Sequence, residues 1–365
     1  MYICIITTVH NATDARIFYR QARSLSSVGH NVTIIAPKGM LEEEKTIKFI
    51  IISPTKIKWL RLFTNFKYLK KALNGRHDLY HFHDPDFLFF GVLLKIISGK
   101  KVIFDVHEDF SKVLLEAEWI PSSLRRIFSI KYNFIEAFCS LFFDGIITAT
   151  EHIATRFNAR KTVVIHNYPH SKIDFDTKIE KRPNSLVFIG GITRIRGLYQ
   201  FLEGLRILRQ RVQVTIDVYG SFTDPDYESE MKQEFGQDWI KFHGFVDNTK
   251  VYDKLAQYEL GVLPYLPVPN HLEALPTKIF EYMMTGLPIV CSDFPLWHQI
   301  VEGNKIGKCF DPLNPENISE ILYEILNDKS DLEGMSTMGK ILFREKYNWE
   351  MEEKELFRFY ERFVN

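Results

Sequence analysis

Short runs of β-branched and aliphatic residues alternate with stretches of helical periodicity along the whole chain. Y-I-C-I-I-T-T (2–8) has the continuous apolar character of a strand covered on both faces. D-A-R-I-F-Y-R-Q-A-R-S-L-S-S-V-G (14–29) follows with helical spacing and closes on Gly29, and N-V-T-I-I-A-P (31–37) predicts the next strand. Strand patterns recur at 78–83, 101–107 and 145–150. After V-V-I-H-N-Y-P comes a charged stretch with little periodicity, 170–184, which reads as a linker. A second series then opens at 185–191 and continues at 214–220, 240–245, 260–265 and 287–293. The pattern predicts an α/β protein of two Rossmann-like, doubly wound domains, residues 1–168 and 185–346, joined by 169–184. An amphipathic helix over 349–363 ends the chain, and 347–365 is expected to return to the first domain and restrain the hinge. Ligands of open parallel sheets sit at the carboxyl ends of the strands, so the expected site is a central cleft that the two domains face.

A length of 365 residues agrees with two domains. With 45% hydrophobic and 25% charged residues, the composition excludes a disordered chain, a collagen and a small disulfide scaffold. Formal net charge is zero, whereas a dedicated nucleic-acid binder carries a basic excess, so no nucleic-acid partner is expected. The charge is unevenly spread: residues 1–180 hold about 25 basic against about 18 acidic side chains, which points the first half toward something anionic. Cys4, Cys139, Cys291 and Cys309 stand far apart without a C-x-x-C pair, as in reduced thiols. The N-terminus lacks a signal-peptide pattern, and no run approaches 18 uncharged apolar residues. A cytoplasmic protein able to touch the inner face of a membrane is expected.

Two stretches carry candidate chemistry. In F-I-G-G-I-T-R-I-R-G-L (188–198) a strand runs into Gly190 and Gly191, and a helix is expected near Gly197. Glycines let a backbone approach an anion, and Arg194 and Arg196 add fixed charge suited to a diphosphate. A tight turn with two surface arginines has the same sequence, and neither a dinucleotide fingerprint nor a Walker A motif is present. In H-L-E-A-L-P-T-K-I-F-E-Y-M-M-T-G-L-P-I-V (271–290), Pro276 can open a helix, with Glu273 before it and Glu281 inside it. Glu281 shares a face with Thr277 and can accept both hydroxyls of a ribose. Glu273 can meet a sugar hydroxyl, and Lys278 with the helix start can meet phosphate oxygens. A capped amphipathic helix with a surface Lys is the plain alternative.

The E-x7-E spacing within this stretch resembles the nucleotide-sugar site of retaining glycosyltransferases of family 4, which have the GT-B fold. V-H-N-A-T-D-A-R-I-F, H-F-H-D-P-D, V-I-F-D-V-H-E-D, I-H-N-Y-P and S-D-F-P-L-W-H-Q-I-V-E-G, in that order, resemble the bacterial polysaccharide enzymes of the family. The resemblance places the E-x7-E pair on Glu273 and Glu281. It puts Arg196 at the position of the family's phosphate-binding Lys, and Gly191 where the family has an early Arg that Arg194 would replace in space. It maps the histidine near the transferred sugar to His83, with His107 as a second candidate. It implies a metal-free enzyme without a cofactor, in which Arg194, Arg196, Lys278 and helix N-termini neutralise the departing diphosphate. Its donor would be a nucleotide sugar. Its acceptor would be a saccharide, often linked to polyprenyl diphosphate, in surface-polysaccharide, lipopolysaccharide or capsule synthesis. A nucleotide-sugar epimerase, a phosphorylase and a non-catalytic relative share such a fold.

His10, Asp14 and Arg16 lie where the first strand meets its helix and are expected on the acceptor side; a helix cap at Asp14 and a solvated Arg16 are the alternative. His81 and His83 share one strand face, so H-x-H with His107 has the makings of a zinc site, although no third-ligand spacing supports one. D-P-D at 84–86 and at 224–226 reads as two turns, and no bound metal is expected. The segment 54–77 interleaves Lys56, Lys58, Arg61, Lys67, Lys70 and Lys71 with Trp59, Leu60, Phe63, Phe66 and Leu69, and 119–134 repeats the theme. Such segments suit an anionic membrane surface, or else pack their aromatics inward beneath a solvated basic face.

Overall fold

A computed structural model describes residues 1–39, 46–53, 61–117, 119–171, 180–246, 252 and 254–364; for Arg61 and Leu62 it describes the backbone alone. The chain forms two compact units, Met1–Asn167 with Trp349–Asn365, and Tyr168–Asn348. Most of the linker stretch (172–179) lies outside the described residues, as do Lys56, Lys58, Trp59 and Leu60.

The first unit holds a seven-stranded sheet of β1 (Tyr2–Ile6), β2 (Asn31–Ala36), β3 (Ile47–Ile51), β4 (Leu79–Phe82), β5 (Lys101–Val106), β6 (Gly145–Thr148) and β7 (Thr162–Val164), in the order β3-β2-β1-β4-β5-β6-β7. Every pairing is parallel. Alternation along β1 feeds both faces: Ile3 and Ile5 join one apolar cluster, Cys4 and Ile6 the other. One face is covered by helices α2 (Arg61–Leu73), α3 (Leu88–Ser98) and α5 (Ser122–Ser140), which supply Leu69, Leu94 and Cys139, and the short α4 (Phe110–Glu116) lies against α5. The other is covered by α1 and by the last helix, Trp349–Glu361, which supply Ile17, Leu25, Trp349 and Phe359. Here α1 runs from Ala15 to Ser27. It is not a plain α-helix: Ala15–Ala22 is wound as a π-helix, with the Tyr19 amide reaching the Asp14 carbonyl, before Arg23–Ser27 tightens. Trp349 Nε1 donates to Ser24 Oγ at 2.9 Å, which fastens the last helix to α1.

The second unit has six parallel strands, β8 (Ser185–Ile189), β9 (Thr215–Tyr219), β10 (Ile240–Gly244), β11 (Leu260–Leu263), β12 (Ile289–Ser292) and β13 (Gly307–Phe310), in the order β10-β9-β8-β11-β12-β13. A single apolar cluster surrounds this sheet. Both sheets are doubly wound as expected from the apolar runs. Strand order reverses beside β1 and β4 in one and beside β8 and β11 in the other, so each has a switch point where loops part and a ligand can enter. Three edge strands, β3, β7 and β13, lie outside the segments the pattern predicts. β3 and β13 each carry a lysine (Lys48, Lys308) that interrupts the apolar run, and β7 is only three residues long.

Candidate active site

At the switch point of the first sheet, the loops after β1, β4 and β5 enclose a cavity of about 190 Å³ lined by His10, His83, Asp84, His107, Phe110 and Tyr132, among others. His10 Nε2 stands 3.2 Å from His107 Nε2 and 3.3 Å from an Asp84 oxygen. Asp84 is itself fixed by the Thr7 hydroxyl (2.7 Å) and the Thr8 amide (2.6 Å). The first D-P-D is thus a short 3-10 turn, Pro85–Phe87, whose leading Asp ties β4 to the loop after β1. The second is a helix start, Asp224 capping Pro225–Phe235 by accepting from the Asp226 amide.

Beneath the cavity floor lies a polar layer without a sequence signal. Asp105, at 0% exposure, accepts from Arg16 Nε and Nη2 and from Gln21 Nε2 at 2.6–3.1 Å. Burial alone would raise the Asp105 pKa; the Arg16 guanidinium holds it well below the usual carboxylate range. Arg16 also donates to the Ile165 carbonyl and to Asn167 Oδ1. The structure therefore places Arg16 elsewhere than expected, neither toward an acceptor nor in solvent, because its charge is spent inside the fold. Asp14 is the cap of α1, accepting from the Arg16 and Ile17 amides. His81 stacks on His83 at 4.5 Å between ring centroids and is hydrogen-bonded through Nδ1 to the Tyr360 hydroxyl at 2.7 Å. Burial, reinforced by His81, pushes the His83 pKa well below its ordinary value, so this ring is neutral. Burial lowers His107 as well. Both His83 nitrogens and His107 Nδ1 are buried without a hydrogen-bond partner among the described residues. His81, His83 and Asp105 stand close enough to share a metal ion, but the carboxylate already neutralises a guanidinium.

At the switch point of the second sheet, β8 runs into Gly190 and Gly191, and Arg194–Arg196 forms a 3-10 turn before Leu198–Leu208 begins. Gly197 has φ +66°, and a Cβ there would fall 1.8 Å from the Pro264 carbonyl oxygen. Gly190 has φ +152°, and a Cβ there would come within 2.5 Å of an Arg196 guanidinium nitrogen. Arg196 lies over the Tyr265 ring, 5.0 Å from its centroid, and both Arg196 and Glu281 act on the Tyr265 hydroxyl. Arg194 turns away: it pairs with Glu230 at 2.7 Å and covers Tyr227, so it does not replace in space the missing early arginine. Pro276 is the residue before the helix rather than its first; the helix is Thr277–Thr285. Within it Lys278 Nζ donates to Glu281 at 2.5 Å, and both side chains are largely buried. Glu273 ends the short helix Pro269–Leu272 and is exposed. Its loop is pinned by Trp297 Nε1, which donates to the Ala274 carbonyl. Tyr265 and His271, 4.8 Å apart between ring centroids, complete this cluster, and no sequence pattern marked either.

Two parallel, doubly wound sheets, one with a histidine cavity at its switch point and the other with an arginine–lysine–glutamate cluster at its own, match the GT-B fold. Residues 15–168 match the model of Glycosyltransferase Family 4 and residues 170–341 that of Glycosyl transferases group 1, so the chain combines one domain of each type. Over 189 residues it is 23% identical to the amylovoran biosynthesis glycosyltransferase of Erwinia amylovora; this match spans 50% of the chain and 45% of that relative's length. Sucrose-phosphate synthase from Thermosynechococcus elongatus has the same fold, with a TM-score of 0.77 at 16% identity over 99% of this chain and 98% of that one. Anabaena HepE, solved in complex with UDP, gives 0.75 at 15% identity over 99% and 100%.

Proposed function

We propose that the protein transfers a glycosyl group from a nucleoside-diphosphate sugar to an acceptor hydroxyl, with retention of configuration. The observation that carries this reading is the cluster of Arg196, Lys278 and Glu281 at the second switch point, inside the region of group 1 type. A relative of the same fold is solved with UDP, which supports a uridine or similar donor. On this reading Glu281 accepts the ribose hydroxyls, and Arg196, Lys278, Thr277 and the backbone at Gly190 and Gly191 face the diphosphate. Glu273 contacts the sugar. The bond from the anomeric carbon to the β-phosphate oxygen breaks, and the acceptor oxygen bonds to that carbon on the same face. The acceptor proton passes to the departing diphosphate, whose charge Arg196 and Lys278 stabilise without a metal or cofactor. Neutral His83, whose two nitrogens make no hydrogen bond among the described residues, hydrogen-bonds a sugar hydroxyl, while His10 and His107 line the acceptor side. The acceptor is a saccharide, free or lipid-linked, of the kind used in polysaccharide synthesis; the likeness of half of this chain to an amylovoran biosynthesis glycosyltransferase supports this reading.

Thermal unfolding with a panel of nucleoside diphosphates tests the donor site. One of them should raise the unfolding temperature of the wild type. Glu281→Ala should bind it more weakly by about 1.5–3 kcal/mol, the worth of a charge-assisted hydrogen bond. Full affinity and turnover in that variant remove the ribose assignment, and indifference to every diphosphate removes the whole reading.

A further inference from the structure

The end of β12 and its neighbour β13 gather side chains that suit a soft metal ion and that the donor cluster does not use. Cys291 and Cys309 are direct partners in the parallel register, and their sulfurs face each other at 3.6 Å. Asp293 follows Cys291 by two residues and so continues its face of the sheet. The helix Pro295–Val301 packs on both strands, and its His298 Nδ1 meets Asp293 Oδ1 at 2.8 Å. Asp293, His298 and Cys309 each bring one ligand atom within 4.8 Å of the other two.

Taken apart, these are a pair of core thiols and a surface ion pair. Three observations join them. Both thiols are buried while the Asp293 and His298 side chains are 51–53% exposed, so sulfur forms an inner wall and oxygen and nitrogen an outer one that solvent reaches. Two sulfurs about 2.3 Å from a tetrahedral zinc ion stand about 3.8 Å apart, close to the spacing already present. Glu302 stands where a metal-bound histidine has its outer partner. One of its oxygens lies 3.6 Å from His298 Nε2, which leaves Nδ1 to the cluster, and the other accepts from the Cys309 amide at 2.7 Å. We propose that Cys291, Cys309, Asp293 and His298 hold one zinc ion, with Glu302 orienting the imidazole. Sulfur and imidazole donors favour zinc over magnesium or calcium, and each thiol gives its proton to solvent as it ligates. The ion takes no part in glycosyl transfer: β12 and β13 lie beyond β11, on the side away from the β8–β11 switch point. Its work is structural. It ties the edge strand β13 to β12 and fastens the helix whose Trp297 pins the loop of Glu273.

Titration of the untagged, reduced full chain with zinc, in competition with a chromophoric chelator, tests the site. One equivalent should bind tightly and raise the unfolding temperature. Cys309→Ser should lose the tight equivalent, and His298→Ala should lose the thermal shift. Glu302→Gln should weaken binding about tenfold to a hundredfold. Cobalt in place of zinc should give visible bands of tetrahedral intensity and a sulfur-to-metal charge-transfer band that weakens in Cys291→Ser. Absence of a tight equivalent from the wild type overturns the proposal. So does zinc that binds equally to Cys309→Ser and His298→Ala, which is adventitious surface binding. A charge-transfer band indifferent to Cys291 overturns the two-sulfur site. If Cys309→Ser does not fold, His298→Ala decides, because its side chain lies outside the core. No readout here involves a nucleotide or a sugar, so the site stands or falls independently of the transfer reading.

Discussion

The two switch points hold their charged groups in opposite ways. In the first unit, the charge beneath the histidines is cancelled within the fold: Asp105 and Arg16 are both buried and bonded to each other. Nothing that enters the cavity above has to displace that pair, so the histidines sit on a finished, neutral floor. In the second unit, among the described residues, Lys278 is matched by Glu281, one turn further along its own helix, and Arg196 rests on an aromatic ring rather than on a carboxylate. On the proposed reading a donor separates Lys278 from Glu281, giving the diphosphate to one and the ribose to the other. The first site should therefore answer mutation with lost stability, the second with lost affinity.

The largest effect should follow from Asp105→Asn. Removing one partner of a buried pair leaves the other uncompensated and costs about 3–5 kcal/mol, or a fall in unfolding temperature of about 10 °C. Adding Arg16→Met should recover much of that loss, since a buried pair replaced by apolar groups is often neutral. A single variant as stable as the wild type by calorimetry would show that the floor is not held by this pair, and the contrast between the units would fall.

A smaller effect, and one of another kind, is expected at Arg196→Ala. Stability should change little, because the side chain is half-exposed. Affinity for the stabilising nucleoside diphosphate should drop about tenfold to a hundredfold by isothermal titration, as for the loss of one charge-assisted contact. Arg194→Ala, which removes an arginine engaged by Glu230 on the surface, should change it by less than about twofold. Equal losses in the two variants would return Arg194 to the phosphate site and break the distinction that its geometry makes.

What could be read from the chain follows the same divide. Strands buried on both faces announce themselves as unbroken apolar runs, so both doubly wound sheets were legible, whereas the lysine-bearing edges β3 and β13 and the three-residue edge β7 were not. The glycine turn at 190–191 and the E-x7-E spacing are local features, and they led directly to the second switch point. The floor of the first site brings Arg16 and Gln21 of one helix together with Asp105 and Tyr360, which are far from them in sequence, and no local spacing records such a contact. Helix α5 misleads in another way: its Ile and Phe stripe reads as a core face, yet the Glu136–Arg156–Asp109 network fixes the opposite face inward. Periodicity shows that a helix has two sides without showing which side meets the sheet.

The gentlest test concerns the seam between the last helix and the body of the first unit. His166 is held between Glu352, whose carboxylate also accepts from the His166 amide at 2.7 Å, and the more exposed Glu151. Burial works against the charged imidazole, but the hydrogen bonds it donates to these two carboxylates prevail and raise its pKa to about 9. A folded-state pKa above the ordinary 6.5 makes this contribution complete below pH 6.5 and lost as pH rises through about 9. Urea midpoints of the wild type should decline across that interval relative to those of His166→Gln, whose curve should be flatter there. The difference should be small, because Glu151 is mostly in solvent and much of its attraction is screened. Parallel curves would mean that the imidazole is neutral in the folded protein and that the last helix is held without its charge, by the packing of Trp349, Leu356, Phe359 and Tyr360 and by the His166 amide bond to Glu352. The charge that the first unit depends on would then lie in pairs within its own body, Asp105 with Arg16 and Arg156 with Glu136 and Asp109, and not at this seam, which would sharpen its contrast with the second.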